Sequence, residues 1–140
     1  MLGLLRSRRH PRRLGGLRRD RGASTLELVI IGPVFFGFIL GIIQVAAYYH
    51  GRNVVTSAAQ IGVQAARTVN ATAGDGSAAA WQYLGQTAPN YLTGLTVSTS
   101  RGGGTARVEI SSDAPQVIPL LPLPRISVSA AGPVEVVTRP

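Results

Sequence analysis

Four kinds of hydrophobic patterning follow one another along the chain. Residues 1–22 are rich in Arg, Gly and Leu, and their apolar positions follow no period. From Leu28 to Tyr49 the stretch LVIIGPVFFGFILGIIQVAAYY carries no charged residue over 22 positions. At the helical rise it extends roughly 33 Å, against about 30 Å for the hydrocarbon core of a bilayer. Helices apolar on every face are rare in chains this small, so the run predicts one membrane span rather than a soluble core helix. From Gly51 to Val69, Val54, Ala58, Ile61, Ala65 and Val69 recur every three or four positions, opposite a polar stripe of Asn53, Ser57, Gln60, Gln64 and Arg67. With no proline after Pro33 in this stretch, span and amphipathic segment predict one helix from about residue 24 to about residue 70, on the order of 70 Å long.

The breaker cluster from Asn70 to Gly76, NATAGDG, ends that helix. Ser77 is placed to cap a second, shorter helix through about Ala88, with Trp81 and Leu84 on one face, before Pro89. Beyond it the period becomes two. Leu95 and Val97 alternate with Thr96 and Ser98; Ala106, Val108 and Ile110 with Arg107 and Glu109; Ile126, Val128 and Ala130 with Ser127 and Ser129. These are strands with one apolar face each. The loop from Arg101 to Thr105, centred on three glycines, predicts a hairpin between the first two, and Val134 to Thr138 a final strand. The fold class expected is α+β: a long N-terminal helix, transmembrane in its first half and amphipathic in its second, a short second helix, and a small antiparallel sheet packed on the distal helix. Between the second and third strands lies APQVIPLLPLPR, whose four prolines forbid a central strand. An apolar connector of this kind is either tucked against the head or a contact surface for another subunit.

Charge is distributed as unevenly as hydropathy. Eight of the 14 basic residues, all Arg, fall in the first 22 positions against one acid, Asp20. The remaining residues are almost balanced, so the overall charge of +8 belongs to a tail rather than to the folded part. The basic block precedes the span and only Arg52 closely follows it, which puts the N-terminus in the cytoplasm and everything after Tyr49 outside. The same block could bind nucleic acid by counterion release, but it lacks interleaved aromatics or a folded reader, so no nucleic-acid partner is expected. There is no cysteine, and His10 and His50 lie in unrelated contexts. Thiolate chemistry and disulfides are excluded, and no metal-ligand cluster is visible. The Gly102-Gly103-Gly104 run lacks the Lys and Ser/Thr of a phosphate cradle. The expectation is a non-enzymatic chain without catalytic residues, metal, cofactor or small-molecule substrate.

The chemistry that remains sits at the threshold of the span, in Arg21-Gly22-Ala23-Ser24-Thr25-Leu26-Glu27. A carboxylate at the edge of a membrane helix is costly and ordinarily has a partner. A cut after Gly22 would give Ala23 a free amino group and make Glu27 the fifth residue of the mature chain. That ammonium and the helix dipole stabilise an anion one turn away, and in an assembly the amine could pair with Glu27 of a neighbour. Within the span, Pro33 removes the backbone bond to Val29 and bends the helix near its start. Gly37 and Gly41 form a GxxxG, which suits close packing of helices.

A basic leader, Gly22, four uncharged residues, Glu27 and about twenty apolar residues resemble the pattern that prepilin peptidases recognise in type IV pilin-like proteins. The wider stretch from Arg21 to Pro33 resembles the TadE-like proteins, minor pilins or pseudopilins of bacterial tight-adherence (Flp) pilus systems. In these the helix begins with Arg-Gly, a small-residue patch and Glu, with Pro six residues later, as at Glu27 and Pro33 here. Ala65-Ala66-Arg67 is similar to the Ala-Ala-Arg that often closes their helix. Two departures are visible: Leu28 stands where major Flp pilins have an aromatic residue, and Gln44 where the family commonly has an acid. The resemblance implies a processing site between Gly22 and Ala23, an assembly role for Glu27, and a prepilin peptidase, the membrane and other pilin or minor pilin subunits as partners.

The expected organisation is a basic prepilin-type leader over residues 1–22, a transmembrane helix over 23–50, an amphipathic extension over 51–70 and an extracytoplasmic α+β head over 71–140. The expected place is the bacterial cytoplasmic membrane, crossed once, or a pilus that has taken the subunit up. Two other readings use the same residues. A conventional signal sequence would be cut after Val45-Ala46-Ala47, leaving Tyr48 first but stripping the head of part of its covering helix. An uncleaved signal anchor would keep Met1 and display a binding head. A twin-arginine signal at Ser7-Arg8-Arg9 is disfavoured by Asp20, Glu27 and the long gap to the apolar core.

Overall fold

The computed structural model describes residues 20–119 and 121–136. In chain order they form α1 (Asp20–Arg67), α2 (Ala73–Thr87), β1 (Thr93–Gly102), β2 (Thr105–Asp113) and β3 (Ile126–Pro133). The α+β class, the long first helix, the short second one and the small antiparallel sheet are as expected. Most of the expected basic leader lies outside the described residues. The chain divides within α1 into two compact units, one ending at Gly37 and the other beginning at Phe38. In the first, every large apolar side chain from Leu28 to Phe36 is more than half exposed.

The second unit holds the sheet, in the order β1-β2-β3. β1 and β2 pair antiparallel with Val97 opposite Ile110 and Thr99 opposite Val108. β3 continues the sheet with Ala130 opposite Val108 and Val128 opposite Ile110. The hairpin turns through Gly103 and Gly104, at φ 60° and 74°. Positive φ at both central residues is the turn whose twist matches paired strands, and glycine enters that region without a Cβ penalty. On the inner face Ala106, Val108, Ile110 and Ile126 are fully buried, while Thr96, Ser98, Glu109, Ser127 and Ser129 line the opposite face. The expected last strand does not form: the sheet ends at Pro133, and Val134 to Val136 are irregular. There Val134 donates its N–H to Gly104 (2.8 Å) and Glu135 to the Arg67 carbonyl (2.9 Å), so the tail fastens to the hairpin tip and the end of α1. Residues 137 and 138 of that expected strand lie outside the described residues.

Packing corrects the amphipathic stripe. The residues of α1 buried in the core are Val54, Val55, Ala58, Ala59, Val63 and Ala66, whereas Ile61 and Ala65 are half-buried and Val69 is 43 % exposed. The buried face is rotated towards small residues because they permit the closest approach. A Cβ on Gly62 would lie 2.9 Å from the Gly76 carbonyl oxygen, and one on Gly76 would lie 2.8 Å from that of Gly62, so α1 and α2 meet backbone to backbone. The second helix also starts earlier than Ser77. Thr72 caps it, its hydroxyl accepting from the Asp75 N–H while the Asp75 carboxylate accepts from the Thr72 N–H at 2.7 Å. This reciprocal pair satisfies donors that a helix start leaves open, and it carries the helix through the two glycines of its first turn. The Thr72 N–H and the Thr72 hydroxyl, which donates to the same carboxylate at 2.8 Å, hold the Asp75 carboxyl below the usual aspartate range. Along α2, Gly76, Ala80 and Leu84 face the core; Trp81, expected beside Leu84, is 45 % exposed.

Candidate functional site

Gly22, Ala23 and Glu27 all lie within the first turns of α1. Glu27 is exposed. Pro33 is accommodated inside the helix. Around Gly37 and Gly41 a Cβ would meet nothing within 4 Å, so no packing among the described residues demands glycine at either position. The most apolar window of α1 is only 6 % buried, which sets it apart from the core helix of a soluble protein. By length and composition this one helix is able to cross a membrane.

The exception to that exposure is Gln44, 2 % exposed. Its Nε2 donates to the Pro115 carbonyl (2.8 Å), and its Oε1 accepts the N–H groups of Val117 (2.7 Å) and Ile118 (3.0 Å). The proline-rich connector is thus clamped to α1 inside the apolar stretch. One turn further on, the Tyr91 hydroxyl donates to the Ala47 carbonyl at 3.0 Å, and the rings of Tyr91 and His50 meet edge to face at 5.5 Å. Of the two expected uses of the connector, the tucked one is seen: Gln44 holds its start on α1, and Leu123 packs against the core of the head. Sequence reasoning registered Gln44 only as a departure from a family pattern. The signal available was physical: a lone amide in an otherwise apolar span needs partners for both its donor and its acceptor.

Charged side chains elsewhere brace the head. Arg101 donates to the carbonyls of Ala71 and, at 3.2 Å, Thr68, just past the end of α1, where a cation complements the helix dipole. Arg125 pairs with Asp113 at 3.2 Å and donates to the Gly94 carbonyl at 2.8 Å, closing the base of the connector. Among the described residues no group of three His, Cys, Asp or Glu side chains is placed to hold a metal ion.

Residues 22–64 match the family of TadE-like proteins. The chain carries a TadE-like domain. No curated protein and no solved structure matches the chain. The TadE-like domain begins at Gly22, encloses Ala23, Glu27, Pro33, Gly37, Gly41 and Gln44, and ends at Gln64 inside α1. The head beyond α1 lies outside the matched region. A TadE-like domain built on one exposed apolar helix is consistent with a membrane-associated, pilin-like protein.

Proposed function

We propose that this chain is a non-enzymatic pilin-like subunit, anchored by residues 28–49, cut by a prepilin peptidase between Gly22 and Ala23, and used in assembling a tight-adherence pilus or a related secretion apparatus. The observation that carries this reading is that the TadE-like match begins at Gly22 and runs through Glu27 into the exposed apolar helix. The basic block sets the orientation, with the N-terminus cytoplasmic and the head outside. Removal of residues 1–22 strips eight arginines and one acid from the cytoplasmic end. Those charges would otherwise hold the subunit to anionic lipid and resist its extraction. The new amine at Ala23 then pairs with Glu27 of its own chain or of a neighbouring subunit, while Gly37 and Gly41 let helices approach closely.

The geometry also weighs against conventional secretion. A cut after Ala47 would remove Gln44 with its three hydrogen bonds and the Ala47 carbonyl that Tyr91 uses. N-terminal sequencing of the mature protein is expected to begin at Ala23, and Gly22→Glu or loss of the host's prepilin peptidase to abolish that start. A start at Tyr48 would establish secretion, and one at Met1 a signal anchor; either would sink the pilin reading.

A further inference from the structure

We propose that the connector between β2 and β3 is a second membrane contact, its apolar side chains seated in the outer leaflet beside the end of the span. This rests on the reading of residues 28–49 as a membrane span. Between Asp113 and Arg125 there are 11 residues without a single charge, APQVIPLLPLP, and the two flanking charges pair with each other at 3.2 Å. The loop therefore has a charged base on the sheet and an apolar body. That body is held against the span itself: Gln44 binds Pro115, Val117 and Ile118 at a level five residues before Tyr49. Five residues of helix correspond to about 7.5 Å. An element lying in the boundary between headgroups and acyl chains sinks about 5 to 10 Å, so the loop's depth is that of an interfacial segment. Tyr48 and Tyr49, meeting edge to face at 5.8 Å, are the residue type that marks this boundary.

The backbone chemistry agrees. Irregular chain is excluded from lipid because its backbone N–H and C=O groups lose their water, a cost that falls with each donor removed or paired. Here Pro115, Pro119, Pro122 and Pro124 carry no N–H, and Val117 and Ile118 give theirs to Gln44. A shallow, almost wholly apolar groove runs between Gly41, Val45 and Tyr48 on α1 and Leu121, Leu123 and Pro124 on the loop. Val117 and Leu121 are 43 % and 41 % exposed. Since one wall of the groove is the span itself, the occupant that continues without interruption from the span into it is lipid acyl chain.

The absence of cysteine lets one label be placed at a time. Full-length Val117→Cys, Leu121→Cys, Phe38→Cys and Ser98→Cys are each labelled with a small environment-sensitive fluorophore and reconstituted at high dilution into phospholipid vesicles. Quenching by spin labels attached high on the acyl chains is compared with quenching by aqueous iodide. The expectation is that Val117→Cys and Leu121→Cys resist iodide and lose fluorescence to this shallow lipid-borne quencher more strongly than Phe38→Cys, which lies near the middle of the span, while Ser98→Cys is quenched by iodide and spared by the lipid-borne quencher. Iodide quenching of Leu121→Cys equal to that of Ser98→Cys, with Phe38→Cys in lipid, overturns the loop contact and leaves the span intact. A water-exposed Phe38→Cys overturns both. Protection of Leu121→Cys in pilus-bearing cells but not in vesicles would assign the groove to another subunit and also overturn the proposal.

Discussion

Gln44 joins the apolar helix to the connector, and its substitutions separate the bonds it makes. Gln44→Leu leaves the N–H groups of Val117 and Ile118 and the Pro115 carbonyl without their partner, at about 1 to 3 kcal/mol for each group that stays dry. Hydrogen exchange at Val117 and Ile118 is expected to accelerate sharply, while exchange in β2 stays slow. Gln44→Glu keeps both acceptor bonds but sets a carboxylate against the Pro115 carbonyl, and is expected to fall between wild type and Gln44→Leu. Asp75 supplies a pH dependence of its own. Its carboxyl is held below the usual aspartate range by its bonds from Thr72, so the stabilisation is complete above the unfolded value of about 4. It is lost as the pH falls from there through the lower folded value. The first turn of α2 is expected to fray over that acid window, and Asp75→Asn to shrink the pH dependence; an unchanged acid profile in Asp75→Asn would count against the capping role. Gln44 is visible in the sequence as the lone amide of the apolar run, but its partners lie 71 to 74 residues away, and Asp75 sits in a breaker cluster whose capping pair no hydrophobic period registers.

Among the elements, the first three strands and the hairpin were the most legible, since alternation over Ala106 to Ile110 and paired glycines leave little choice of face or turn, whereas the expected strand from Val134 carried no alternation of that length and is irregular as far as Val136. The helices were legible in existence but not in orientation. Val54 and Ala58 are buried as expected, but in place of Ile61, Ala65 and Val69 the core selected Val55, Ala59, Gly62, Val63 and Ala66, because backbone proximity at Gly62 and Gly76 outweighs the size of any one side chain. The start of α2 was hidden for a related reason: Gly74 and Gly76 have poor helix propensity, and only the Thr72 and Asp75 pair makes the turn viable. The sheet's inner face depends on its helical cover. Val54, Val55, Ala58, Ala59 and Val63 of α1 share one core with Val108, Ile110 and Ile126. A fragment from Ala71 onward exposes those strand residues and is expected to be unfolded or aggregated, while one from His50 onward should be soluble and folded. A well-dispersed NMR spectrum from the shorter fragment would refute this dependence.

For the whole molecule, insertion and assembly are expected to separate at Glu27. Glu27→Leu removes a charge from the membrane edge, so membrane levels should equal or exceed wild type, while crosslinking to other pilins and pilus output fall. Unchanged piliation with wild-type crosslinking would remove Glu27 from the assembly role. The clamps along α1 also have a mechanical consequence. Gln44, Ala47, the buried face from Val54 to Ala66 and the Arg67 carbonyl are all gripped by other parts of the second unit. A pull along this helix towards its N-terminus loads those contacts together, in shear, rather than peeling them one by one. Resistance to such a pull is set by the unfolding rate rather than by equilibrium stability. The head is therefore built to follow its helix under tension, which the proposed extraction of the subunit from a bilayer would require.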